Sequence, residues 1–210
     1  MKKQILGIAF GIGLHGASIA GFAEGVVAYD RHDYVLALRE VAPLADAGNA
    51  DAQHLIGLMY YMGRGVTRDH TQAFRWEHKA AVQGHAAAEY VIGAMYYTGN
   101  AVSRNQTLAV SWFRKAAQHG HPDAQYALGL MYRYHVAGVP EDPVIAYMLW
   151  NLAAAGGNRN AESQRADIAR RMTEEQIAQA QCLSRNWRPG MPLPAQSRDN
   201  QTAISMDLPP

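Results

Sequence analysis

Residues Ala88–Asp123 read AEYVIGAMYYTGNAVSRNQTLAVSWFRKAAQHGHPD, and the chain repeats this pattern on both sides. Ala52–Ala87 reads AQHLIGLMYYMGRGVTRDHTQAFRWEHKAAVQGHAA, and Ala124–Gly157 reads AQYALGLMYRYHVAGVPEDPVIAYMLWNLAAAGG with one residue inserted. Gly57, Gly93 and Gly129 fall in register, as do Met59, Met95 and Met131, then Tyr60, Tyr96 and Tyr132. Further on, Ala73, Ala109 and Ala146 align, then Ala80, Ala116 and Ala153. A fixed period in the range of about 20–50 residues is the mark of a solenoid, in which each unit hides its apolar side against a neighbour.

Each unit reads as two short helices. Ala88, Ile92, Met95, Tyr96 and Gly99 lie on one stripe of helical period. A glycine inside a helix costs about 1 kcal/mol against alanine. Its recurrence at Gly57, Gly93 and Gly129 therefore implies a close approach that a Cβ would block. In the second helix Ala109, Trp112, Ala116 and Ala117 repeat the stripe, with small residues at the contact and Trp112 as the ring filling the groove. Gly48, Gly84, Gly120 and Gly157 sit just past each second helix, where a positive φ is wanted. Asp69, Asn105 and Asp142 read as N-caps, and Pro143 occupies the first position of a helix, where proline is tolerated. Trp150 stands one place beyond the tryptophan register of the earlier units.

The pattern A-x-x-x-[IL]-G-x-M-Y, a loop, then [DN]-x-x-x-A-x-x-W-x-x-K-A-A-x-x-G closely resembles the Sel-1-like repeat, a subfamily of the tetratricopeptide repeats. The resemblance runs from about Asp33 to Trp187 and agrees in phase over three units. It implies an all-α fold, a right-handed superhelical solenoid of helix-turn-helix repeats that binds other proteins. Roles within such a family include envelope regulators, motor accessories and secreted host-binding factors.

Composition narrows the class. The 210 residues carry a formal net charge of +1, with both signs spread throughout. Nucleic-acid binders of this size usually show a basic stripe, so nucleic acid is not an expected partner. The N-terminal MKKQILGIAFGIGLHGASIAGFAEG has a cationic start at Lys2 and Lys3, an apolar run from Ile5 to Leu14 and small residues after it. That layout is a secretory signal peptide, placed at 1–23, with cleavage after Ala20 or Ala23. The apolar run is short for a membrane span, so the expected mature chain is exported, periplasmic or secreted, without a span, and a monomer. Cys182 is the sole cysteine and cannot form a disulfide within the chain. It lies in an apolar-periodic helix and is expected to be buried.

The organisation expected after the signal is a partial capping repeat at 24–51, full repeats at 52–87, 88–123 and 124–160, capping helices at 161–188 and a disordered tail at 189–210. A short helix is expected over Gly25–Arg31. Pro43 is expected to kink the helix over Asp33–Ala47. Thr173-Glu174-Glu175-Gln176 reads as a capping box opening a helix to about Asn186.

Candidate chemistry is sparse. His85, His119 and His121 offer a metal-sensing possibility, but turn positions beside a glycine are ordinary places for polar residues, and a metal needs three or four converging ligands. The nine histidines, His54 and His78 among them, are read as solvated surface groups. G-x-S-x-G, H-E-x-x-H and a Gly-rich phosphate loop are all missing from the sequence. The reading is non-enzymatic and without a cofactor. A hydrolase acting on a cell-wall or β-lactam substrate is the alternative.

A partner protein is expected on the concave face formed by the first helices. Their non-core stripe carries His54, Leu58 and Tyr61, then Tyr90, Ala94 and Tyr97, then Tyr126, Leu130 and Arg133. Tyrosine and arginine are favoured interface anchors. Tyr90 and Tyr126 are expected to be exposed, while Tyr61 and Tyr97 fit packing on the next repeat as well as exposure.

Overall fold

The computed structural model describes residues 21–194, which are helical apart from their turns. The expected signal peptide therefore lies almost wholly outside the described residues. Residues 21–30 form the first described helix, α1. Nine more follow: α2 Tyr34–Asp46, α3 Ala50–Met62, α4 His70–Ala81, α5 Ala86–Thr98, α6 Gln106–Gln118, α7 Pro122–Tyr134, α8 Pro143–Ala155, α9 Arg159–Ala169 and α10 Glu174–Asn186. A 3-10 turn, Val136–Gly138, sits between α7 and α8. The chain divides into two compact units between Gln83 and Gly84.

Within the first unit α2 packs on α3 and α3 on α4. Its core holds Val41, Ala45, Ala52, Leu55 and Ile56, with Ala28, Ala37 and Met59 beside them. The helix α2 runs on through Pro43, the position expected to kink it. Within the second unit α5 pairs with α6, α6 with α7 and α7 with α8, and both α9 and α10 close on α8. Its core centres on Leu128, Ile145, Leu149 and Trp150.

Helix ends explain much of the regularity. Asp69, Asn105 and Asp142 accept backbone N–H groups at the starts of α4, α6 and α8, satisfying donors that the helix itself leaves unpaired. Asn49, His85, His121 and Asn158 do the same for α3, α5, α7 and α9. The second helices are followed by glycines at φ from +85° to +97°, as at Gly48, Gly84, Gly120 and Gly157. Thr173 and Gln176 form the reciprocal capping box of α10.

The three aligned glycines each meet the second helix of their own hairpin. A methyl on Gly57 would stand 2.7 Å from Glu77 Oε1, on Gly93 2.8 Å from Phe113 Cδ1, and on Gly129 2.5 Å from Trp150 Nε1. Those distances are far inside van der Waals contact, so the glycines are required sterically. The filling side chains are thus Glu77, Phe113 and Trp150, not the expected Trp112. Trp76 and Trp112 sit one residue earlier, half-buried, with Lys79 Nζ and Lys115 Nζ at 3.8 and 4.3 Å from their ring centroids. Once the one-residue insertion in the loop before α8 is counted, Trp150 is in register with Phe113, which explains its displacement from the tryptophan column.

Two more expectations change. Cys182 is exposed, because α10 turns only Ala180 fully inward. The chain from Pro189 to Pro194, read as the start of a disordered tail, is packed. The N–H of Gly190 donates to the Gln118 carbonyl at 2.7 Å, the Trp187 indole N–H donates to the Met191 carbonyl at 3.2 Å, and Leu193 is buried in the core. The rest of that stretch lies outside the described residues.

Candidate functional site

The first helices carry the candidate residues, and the structure sorts them by unit. In the first unit His54 is not a solvated histidine. Its Nδ1 shares a 2.8 Å hydrogen bond with Glu77 Oε2, and only 18% of its side chain is accessible beside a fully buried carboxylate. Burial raises the Glu77 carboxyl above the ordinary range, and the His54 imidazole opposes part of that rise. Its other oxygen, Oε1, is buried with no hydrogen-bond partner. Leu58 is half-buried, and Tyr61 is exposed with its ring edge-on to His70.

In the second unit the same helix positions hold rings. Tyr90 replaces His54 in register and packs at 5.6 Å on Phe113, which replaces Glu77. The other face of the contact is His121, stacked on Tyr90 at 4.8 Å and 14°. Tyr126 is partly buried against the same core, and the indole N–H of Trp150 donates to its backbone carbonyl at 3.2 Å. Tyr90 and Tyr126, expected to be exposed, are therefore half-buried: Tyr90 covers the Phe113 ring that fills the Gly93 notch, and Tyr126 packs against the same core. Tyr97 is exposed at 39%. Burial raises the Tyr90 phenol above its usual value, and the Asp123 carboxylate adds to that.

Tyr90, Ala94, Tyr97, Phe113, Leu130 and Tyr134 line a groove of about 440 Å³ between α5, α6 and α7. Four residues of the expected face, Tyr90, Ala94, Tyr97 and Leu130, meet there. Arg133 lies beside it, its guanidinium 5.4 Å from the Tyr134 ring centroid and its NH1 3.2 Å from Glu141 Oε1. The sequence reading missed Phe113 and Tyr134. Phe113 is legible as the residue in register with Trp150, once the insertion is placed before α8.

The histidines proposed for metal sensing are engaged separately. His85 and His121 accept the N–H groups of Ala88 and Ala124 through Nδ1. His119 Nδ1 shares a 2.7 Å hydrogen bond with Glu89 Oε2. Glu89, almost wholly buried, is raised by burial and opposed by His119 and Lys115. Among the described residues no group of three His, Cys, Asp or Glu stands close enough to hold a metal.

A family model described as the Sel1 repeat matches residues 50–85, 86–121 and 122–158. Among solved structures, the chain is similar to a Sel1 repeat protein from Oxalobacter formigenes, with 30% identity and a TM-score of 0.65. The match covers 69% of this chain and 59% of that one. A second likeness is to c5321, a protective antigen present in uropathogenic Escherichia coli strains displaying an SLR fold. There the TM-score is 0.58 over 94% of this chain and 50% of that one, and at 23% identity it shows the fold alone. The chain thus spans well under two thirds of either relative. No curated protein matches it. The architecture is all-α, of the Sel1 solenoid type.

Proposed function

Because the chain belongs to the Sel1 repeat family, whose repeats build protein–protein interaction scaffolds, we propose that it is an exported, non-enzymatic scaffold. It holds a segment of a partner protein against its first helices. The partner is a protein rather than nucleic acid, and the scaffold acts as a monomer. Export rests on the N-terminal sequence, with Lys2 and Lys3 before an apolar run. None of the described helices is long and apolar enough to cross a membrane.

The observation that carries the binding role is the aromatic groove of the second unit. Tyr97 and Tyr134 stay exposed on its walls, while the rings around them are drawn into the core. Large rings left accessible beside a concavity are what an interface uses as anchors. The test is affinity capture from an envelope extract with the immobilised chain, followed by mass spectrometry. A defined protein is expected with the wild type and not with Leu130→Arg. Capture of nothing above a bead control contradicts the scaffold reading. Export is checked by fusing residues 1–30 to a reporter active only outside the cytoplasm, and an inactive fusion contradicts it.

A further inference from the structure

We propose that the groove of the second unit is an anchor pocket for an extended peptide bearing one bulky apolar side chain with carboxylates on one side of it. This deepens the scaffold reading and rests on it. The groove's volume of about 440 Å³ lies at the small end of ligand clefts, which run from about 300 to 1,000 Å³. That suits one or two side chains and no large ligand. Phe113 and Met131 at its base are buried and apolar, and Leu130 and Ala94 complete an uncharged floor. An apolar anchor desolvates there without stranding a buried polar group.

Charge gives the groove a direction. Arg104, in the loop before α6, lies 5.9 Å from the Tyr97 ring centroid, and Arg133, in the last turn of α7, lies 5.4 Å from that of Tyr134. Both tyrosines are groove walls, so two guanidiniums edge the same end. Arg133 already holds a carboxylate there, that of Glu141, whose side chain is 61% exposed. Arg104 is exposed and makes no ion pair with any described residue. At the opposite end, in the first turn of α7, stands Asp123, whose carboxylate adds to the rise that burial gives the Tyr90 phenol. A carboxylate is therefore favoured beyond Tyr97 and disfavoured beyond Tyr90, which puts the acid on the Tyr97 side of the apolar anchor. In the first unit Glu77 occupies the position of Phe113, so a carboxylate stands where the groove has its apolar base.

The test uses the purified full chain and three dye-labelled nonapeptides of glycine and serine. Each carries a central phenylalanine followed by two aspartates, two lysines or two asparagines, and anisotropy reads binding. The aspartate peptide is expected to bind at least tenfold more tightly than the lysine peptide, with the gap closing in high salt. Arg104→Glu is expected to reverse that preference, and Leu130→Arg to abolish binding of all three. Should Leu130→Arg lose helicity, Tyr97→Ala, at an exposed ring, takes its place with at least a fivefold loss expected. Equal affinity for the aspartate and lysine peptides overturns the charge assignment, and no binding by any peptide overturns the pocket. Capture of a protein from extract that survives Leu130→Arg also overturns the pocket, yet leaves the scaffold reading standing.

Discussion

The hairpin α3–α4 and the hairpin α5–α6 place the same glycine against the same position of the second helix, and fill that position with opposite chemistry. Gly57 faces the carboxylate of Glu77, bonded to His54. Gly93 faces the ring of Phe113, covered by Tyr90. The third hairpin sides with the second, setting Trp150 against Gly129. The repeat therefore prescribes a notch and a bulky occupant, not the polarity of the occupant. Beside the Phe113 ring the surface is an apolar groove. Where the occupant is an acid, the surface carries a half-buried imidazole. A neighbouring position shows the same substitution in reverse. Gln53 donates to the Ala45 carbonyl and Gln125 to that of Ala117, while the residue between them in the series is Glu89, bonded to His119.

The largest expected effect is from emptying a ring position. Trp150→Ala removes a fully buried indole and should destabilise the second unit by about 3–5 kcal/mol. Denaturant unfolding checks this, and a loss under about 1 kcal/mol means the notch is not filled by that ring. Closing the notch comes next. Gly129→Ala and Gly93→Ala each force a rigid aromatic ring aside and should cost roughly 1–3 kcal/mol, despite the gain in helix propensity. Gly57→Ala should cost less, since the carboxylate of Glu77 has torsions with which to retreat. Equal losses at all three positions break the comparison.

Much of this is legible in the residues alone. Period, glycine register and caps at Asp69, Asn105 and Asp142 follow from local rules that residue type states. The choice of Phe113 over Trp112 does not follow. Helical periodicity tolerates an error of one residue, and only the insertion before α8 fixes which ring points at the glycine. Glu77 and Glu89 are invisible at that level because a charged residue on a polar-looking helix reads as solvated. Their burial depends on His54 and His119, 23 and 30 residues away in the chain. Cys182 misleads in the opposite sense, since the periodicity of α10 is satisfied by Ala180 alone. For the binding stripe, helical spacing puts Tyr90, Tyr97 and Leu130 on one face, but which rings stay accessible is decided by what fills the notch beneath them.

A smaller effect reads the two buried acids, one in each hairpin, by pH. Burial holds the carboxyls of Glu77 and Glu89 above their ordinary range, so the folded chain keeps those protons to higher pH than the unfolded chain does. Stability from this source is greatest below the ordinary carboxylate range and falls as pH climbs through the raised values. Melting temperature should therefore decline over that window in the wild type, less steeply in Glu77→Gln and least in the variant with Glu89→Gln added. An unchanged slope in the double variant contradicts the assignment.

The most direct measurement exchanges the occupants and reads binding of the phenylalanine–aspartate peptide by anisotropy, with circular dichroism on the same samples. Tyr90→His with Phe113→Glu gives the second hairpin the pair of the first, and should stay helical while losing binding by at least tenfold. His54→Tyr with Glu77→Phe should leave that affinity unchanged. A helical Tyr90→His, Phe113→Glu protein that binds the peptide as the wild type does would contradict the claim that the ring in the notch makes the groove.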